Sequence, residues 1–326
     1  MSRLSDVAAY ASRHRRLIAA GQIVVLAIFF GALGWGLRGS FDSAGHDLGH
    51  SNLALFALGC VALAAYYLVF VLGWKWILAE WGIRISYPVA LRSEMVSMLA
   101  KYIPGGIWTP AARVVAARRA GVTDAWLVTS SMLLEAGLSA VSGVIVFVLG
   151  LAFVDDVNAP LAPLIVFGVV VAILVQPRVF RPLAGRIMRR FGYKRELPDM
   201  RARTLSALLV FYAGTWVLGG VALWLMLQAV GASPEPASIV YLGGTAAVGA
   251  IVAVLFVFAP SGLGVREASM YGLLLAVATP GQALGAVALN RLALTGVELA
   301  LLLVGGLLLR RRARNGAEPA AELPSV

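Results

Sequence analysis

Charge is what this sequence has least of: only 13% of its 326 residues are Asp, Glu, Lys or Arg, where soluble domains carry about a quarter. Hydrophobic residues reach 60%. A chain with so little polar surface cannot dissolve as a globule, so most of it must face lipid or other membrane helices. Cysteine is nearly missing. The single Cys60 lies in an apolar run, which excludes an intramolecular disulfide and a cysteine metal cluster. Histidine is scarce as well; His46 and His50 have a metal-like spacing beside Asp42 and Asp47, but in a short polar loop they read as solvated residues. The glycine-rich stretches hold no Walker pattern and no dinucleotide fingerprint, and no Ser-His-Asp or Cys-His arrangement is visible. The expectation is therefore no catalytic residue, no metal and no cofactor.

What is present is a series of long apolar runs. They match the about 20 residues needed to cross a hydrocarbon core and lack the alternation of barrel strands, so helices are the expected spanning elements. Spans are predicted at Leu17 to Leu37, Leu53 to Leu72, Ala125 to Ala152, Leu161 to Val175, Leu205 to Ala229 and Gln282 to Leu309. The first follows Arg13, Arg15 and Arg16 but is longer than a signal-peptide core, and it reads as an uncleaved anchor. Two further stretches, Ile85 to Gly121 and Ala237 to Gly281, are broken by Pro104-Gly105-Gly106 and by Pro260-Ser261-Gly262-Leu263-Gly264. Proline removes a backbone donor and glycine permits positive φ, so both read as re-entrant hairpins, although Ile239 to Ala259 is long enough to cross alone.

The excess of 27 Lys and Arg over 16 Asp and Glu reports topology before it reports nucleic acid. Arg3 to Arg16, Lys75 to Arg119, Arg178 to Arg203 and Arg310 to Arg314 all fall on one side when both termini are cytoplasmic and both broken segments are re-entrant. The opposite loops carry Asp42, Asp47, Asp155, Asp156 and Glu235 against Arg38 alone. The expected location is a bacterial inner membrane, multi-pass, with both termini cytoplasmic and no nucleic-acid partner. Arg178 to Arg203 is mainly a topology determinant beside anionic headgroups.

The same assignment yields span, span, hairpin, span, and then the series again. Each unit has three crossings, so the second copy is inverted: residues 1–155 form the first repeat, 156–312 the second, and 313–326 a disordered cytoplasmic tail. After each break comes a span with one acidic residue, Glu135 and Glu298, each followed eight positions later by glycine, Gly143 and Gly306. At about 1.5 Å per residue both carboxylates sit near mid-membrane. Burial there costs on the order of 2.5 to 3.5 kcal/mol, so each must face a cavity or a cation. They are candidates for a headgroup contact, a proton-coupling site or a structural ion pair. Arg266 and Glu267 follow the second turn, and Arg291 lies seven residues before Glu298 on one helical face. Arginine suits bidentate phosphate binding; the structural alternative pairs Arg291 with Glu298 and Arg266 with Glu267. In the first copy, Lys101 and Arg113 flank the turn and are candidate cytoplasmic phosphate contacts or snorkelling cations. The tryptophans read as interfacial anchors, with Trp108 at the turn the exception.

At Lys101-Tyr102-Ile103-Pro104-Gly105-Gly106-Ile107-Trp108, and again at Pro260-Ser261-Gly262-Leu263-Gly264-Val265-Arg266-Glu267-Ala268, the sequence resembles the lysylphosphatidylglycerol synthase transmembrane-region family. These are flippase-like membrane domains, found in the multiple peptide resistance factor and in stand-alone proteins. Ser261 stands where the family often has a second glycine. The resemblance implies an all-α polytopic fold and movement of a phosphate-containing lipid between leaflets. It does not imply the synthase reaction, which belongs to a separate soluble domain. The expected function is a flippase-like transporter rather than an enzyme, with Lys101, Pro104, Gly105, Gly106, Trp108, Arg113, Glu135, Pro260, Gly262, Gly264, Arg266, Glu267, Arg291 and Glu298 as substrate-binding residues. The alternatives are an enzyme acting on a lipid-linked substrate and a scaffold for an envelope-biosynthesis partner docked at Pro177 to Arg203. The partner expected in every case is a lipid with a phosphate headgroup, with a homo-oligomer also open.

Overall fold

The structure is a computed structural model and describes residues 49–101, 108–119, 121–155, 161–190, 197–256, 262–314 and 321–322. The predicted anchor at Leu17 to Leu37 and the turn residues Pro104, Gly105, Gly106 and Pro260 lie outside them. The described chain is almost wholly helical: α1 Leu53–Glu80, α2 Tyr87–Ala100, α3 Trp108–Arg118, α4 Ala125–Gly150, α5 Leu161–Val175, α6 Pro177–Arg190, α7 Ala202–Ala229, α8 Ile239–Leu255, α9 Val265–Leu274 and α10 Pro280–Arg314. Five helical stretches are long and apolar enough to cross a membrane, or six if α5 and α6, which meet at a 73° bend, count as one. The chain is an all-α polytopic membrane protein.

Local sequence explains where the long helices begin. Asn52 caps α1, its Oδ1 accepting from the Ala54 and Leu55 amides at 3.0 and 3.2 Å. Asp124 caps α4 in the same way, accepting from Trp126 and Leu127 at 3.1 and 3.0 Å. These side chains satisfy amides that have no partner within the helix. The two 28-residue helices α1 and α7 end alike. After α1, Gly82 takes φ of 79° and the Ile83 amide returns to the Leu78 carbonyl at 2.8 Å; after α7, Gly231 takes φ of 79° and the Ala232 amide returns to Leu227 at 3.0 Å. The left-handed glycine followed by this long return bond is the Schellman arrangement.

Helices α1 and α7 run against each other through the centre. Around them, α4 packs on α8 and α10 packs on α2. The arms α2 and α3, with 14 and 11 residues, pack on each other and are each too short to cross about 30 Å of hydrocarbon. Helix α8 has 17 residues, or 20 with the short turn before it, and is long enough to cross. It packs on α9 after the second break.

With lipid as solvent, helix association relies on close packing and hydrogen bonds, which favours small residues at contacts. Helix α8 illustrates this. A methyl on Gly220 of α7 would stand 2.6 Å from the Gly243 nitrogen, and one on Gly244 would stand 2.7 Å from the Phe147 nitrogen of α4. Both approaches are to backbone, which cannot rotate away. Gly244→Val is therefore expected to cost about 1–3 kcal/mol or more by overpacking. Thermal unfolding in detergent checks this against Gly214→Ala, whose added methyl meets nothing within 4 Å.

Helix α6 differs from the rest. It leaves α5 at 73° and carries exposed Arg186, Arg189 and Arg190 together with exposed Leu183 and Ile187. Its Phe180, Ala184 and Met188 pack inward with Leu134 of α4 and Tyr212 of α7. That is the composition of a helix lying in the membrane interface.

Candidate functional site

Two charged clusters lie within this apolar assembly. The first joins three helices. Arg113 of α3 forms ion pairs with Glu94 of α2 and, at 2.5 Å, with Glu135 of α4. All three side chains are at most 4% exposed. The guanidinium lies over the Trp74 ring of α1, 4.8 Å from its centroid. Trp74 is fixed in turn, its Nε1 donating to the Ser131 Oγ at 2.8 Å. The Tyr212 hydroxyl of α7 approaches the other Glu135 oxygen at 3.4 Å.

The second cluster is centred on Glu298 of α10, which is fully buried. Its Oε1 receives the Tyr67 hydroxyl of α1 at 2.5 Å and the Lys101 ammonium, which closes α2, at 2.5 Å. Lys101 is 22% exposed, so this cluster touches the outside where the first does not. The Glu298 Oε2 has no hydrogen-bond partner among the described residues.

A third group sits at the second break. Gly262 and Gly264 have φ of 63° and 81°, a region that any side chain would strain. The Gly264 amide donates to the Glu267 Oε2 at 2.6 Å, which closes the start of α9. The other Glu267 oxygen binds Arg291 of α10 at 3.2 Å. Arg266 lies on the first turn of α9, half-buried, and its Nε is enclosed without a hydrogen-bond partner among the described residues.

The structure redistributes the pairs expected from spacing. Arg291 binds Glu267 rather than Glu298, because Lys101 from α2 occupies Glu298. Arg266 does not pair with Glu267, which turns back onto the Gly264 amide. Arg113 is not an open cytoplasmic contact; at 2% exposure it is the centre of the buried triad. Trp108 opens α3 and is 45% exposed. Glu94, Tyr67 and Tyr212 escaped the sequence reading. Glu94 had a signal, since it is the one acidic residue between Glu80 and Asp124 in a stretch rich in basic residues. The tyrosines had none. Among the described residues no group of three or more His, Cys, Asp and Glu is placed to hold a metal.

Long apolar helices, two short helices packed on each other and charged networks buried between them define a multi-pass membrane protein with a polar interior. The chain matches the lysylphosphatidylglycerol synthase TM region over residues 18–313 and belongs to that family. No curated protein matches it. The family places it in a membrane lipid-related role.

Proposed function

We propose that this protein is a flippase-like transporter that carries the headgroup of a phosphate-containing lipid through its interior while the chains remain in the bilayer. The observation that carries this is Arg266. It stands at the start of the half-helix α9, directly after a glycine turn, with its Nε enclosed and unpartnered among the described residues. It is near enough to Tyr67 and Lys101 for its charge to act on both. A helix N-terminus and an arginine fork together favour phosphate. Lys101 and Arg291, each held by a carboxylate, flank the same region and can exchange that carboxylate for the headgroup.

The arrangement supports two inverted copies, the construction used by many secondary transporters. Contacts come in exchanged pairs: α4 packs on α8 as α10 packs on α2, and α1 meets α10 as α7 meets α4. The buried acids follow the same rule, Glu298 taking Tyr67 from α1 and Glu135 taking Tyr212 from α7. Helices α1 and α7 also share length and ending. We place both termini in the cytoplasm of an inner-membrane protein, on the distribution of arginine and lysine.

The test is a leaflet-accessibility assay in proteoliposomes with fluorescent phosphatidylglycerol, aminoacylated phosphatidylglycerol and polyprenyl phosphate. The wild-type protein is expected to move at least one of them, and Arg266→Gln to reduce the rate at least tenfold while eluting as the same folded species. Wild-type protein that moves none of the three, although folded, would overturn this reading in favour of an enzyme or a scaffold.

A further inference from the structure

Away from the interior clusters, the elbow between α5 and α6 holds a polar group that the transport reading does not use. The indoles of Trp74, Trp216 and Trp224 donate their N–H groups to the Ser131 Oγ at 2.8 Å, the Ser139 carbonyl at 2.8 Å and the Pro234 carbonyl at 3.0 Å. Trp81, which closes α1, differs: it is 6% exposed, and its Nε1 has no hydrogen-bond partner among the described residues. An enclosed donor left unpaired costs free energy that a bound acceptor recovers. Trp81 lines a crevice at this elbow together with Val175 at the end of α5, Phe180 and Arg181 of α6, and Met200 just before α7.

The surroundings of the crevice are basic. Arg181 is fixed there, its Nε donating to the Leu197 carbonyl at 3.2 Å and its Nη1 pairing at 3.2 Å with Asp199, which is 73% exposed. Arg178 lies one turn before it on α6 and Arg201 follows Met200 in the chain, both exposed. Asp199 is the one acidic side chain among the described residues from 177 to 203, and Glu80, next to Trp81, accepts from the Thr204 hydroxyl at 3.0 Å. Apolar surface meets this charge. Ile173 and Leu174 are exposed at the end of α5, and Leu183 and Ile187 are exposed on α6, which departs at 73°. A ligand that satisfies the whole corner has a chain to lie along α5, an oxygen to accept from the indole and an anionic group for the arginines. A free phosphate offers only the last of these, and a zwitterionic lipid offsets its phosphate with its own cation.

We propose that the α5–α6 elbow binds one anionic diacyl phospholipid of the surrounding leaflet, with an ester carbonyl accepting from the Trp81 Nε1 and the phosphate held by Arg181 and Arg178. The chains lie along the apolar face of α5, and Asp199, already in water, gives up Arg181 at little cost because an exposed ion pair is weak. An indole is suited to this depth, where one part of the ring is apolar and its N–H meets the polar part of the lipid. The lipid is a resident ligand, chemically unchanged, that ties α6 to the ends of α1 and α7. The site is separate from the interior clusters and does not depend on the headgroup role given to Arg266.

The experiment is photo-crosslinking of the full-length protein in phosphatidylcholine vesicles, using phosphatidylglycerol or phosphatidylcholine that carries a diazirine near the ester end of one chain, with labelled peptides mapped by mass spectrometry. At equal mole fraction the phosphatidylglycerol probe is expected to label the α5–α6 elbow and the end of α1 at least about fivefold more than the phosphatidylcholine probe, the preference that one arginine near the surface confers. At a plain lipid-facing position such as the exposed Val61 of α1 the two probes are expected to label alike. Unlabelled phosphatidylglycerol is expected to suppress the elbow label, and inorganic phosphate in large excess to leave it. Arg181→Gln and Trp81→Phe, the second of which keeps the aromatic ring and removes the N–H donor, are each expected to lower the preference about fivefold, the worth of one arginine or one hydrogen bond. Equal labelling of the elbow by both probes overturns the proposal, as does a preference that survives in both variants. Suppression by inorganic phosphate alone shows a free-anion site instead, and absence of label at the elbow leaves its arginines to a protein partner; either result also overturns it. The wild-type comparison of the two probes decides the proposal even where a variant does not fold.

Discussion

Replacing Arg113 with Gln is expected to cost about 3–5 kcal/mol of stability, the range seen when one partner is removed from a buried ion pair. Two features put it at the upper end. Glu94 and Glu135 are both left in the interior at 0% and 4% exposure, and neither can rotate to water. Arg113 also joins α2, α3 and α4 through one guanidinium packed on Trp74, so its loss unties α3 from α2 and α4. The expected outcome is a lower unfolding temperature in detergent and a broadened elution profile. The neutral triple replacement Glu94→Gln, Arg113→Met, Glu135→Gln is expected to recover most of the loss, because a buried network replaced by uncharged groups of similar volume is often near neutral in stability. An Arg113→Gln protein as stable as the wild type would show that the triad does not hold α2, α3 and α4 together.

The periodic and local parts of this structure were open to a reading of sequence; its pairings were not. Helix α5 occupies Leu161–Val175, the run marked by hydropathy, because nothing but apolar side chains lies between Pro160 and Gln176. Helix α1 runs on past the apolar run ending at Leu72, through Lys75 to Glu80, because a falling hydropathy does not stop a helix. The turn at Gly82 does. Glu135 and Glu298 were visible because an isolated acid in a span must find a partner. Which partner it finds is a tertiary fact. Seven residues of spacing put Arg291 and Glu298 on one face of α10, yet Lys101 reaches Glu298 from α2, nearly two hundred positions away in sequence. Glu94 was overlooked for the converse reason. In a stretch read as a re-entrant hairpin whose Lys and Arg residues count toward the cytoplasmic side, a single glutamate draws no notice, and the packing of α2 on α3 and α10 buries it.

Within the Glu298 cluster the two partners are unequal, and that inequality separates folding from function. Lys101→Met is expected to damage folding more than Glu298→Gln. Removing the lysine leaves Glu298 at 0% exposure with, among the described residues, only the Tyr67 hydroxyl to hold it. Removing the carboxylate charge leaves Lys101 at 22% exposure, where a long flexible stem can carry the ammonium to water or headgroups. Glutamine retains the shape of Glu298 and an oxygen that accepts from Tyr67. Glu298→Gln is thus expected to stay within about 1–2 kcal/mol of the wild type, close to the worth of one charged hydrogen bond. Its effect on lipid movement is expected to be far larger, at least tenfold. A Lys101 ammonium that no longer faces the Glu298 charge holds a bound phosphate that Glu298 would otherwise displace, at the partly exposed edge of the cluster, so the headgroup is captured and not released. The assay that resolves this measures binding and movement on the same preparation: tighter binding of phosphatidylglycerol with slower movement places Glu298 in the release step. Weakened binding with equally slow movement would instead make it part of the headgroup contact itself, and unchanged movement would reduce the pair to a structural tie between α2 and α10.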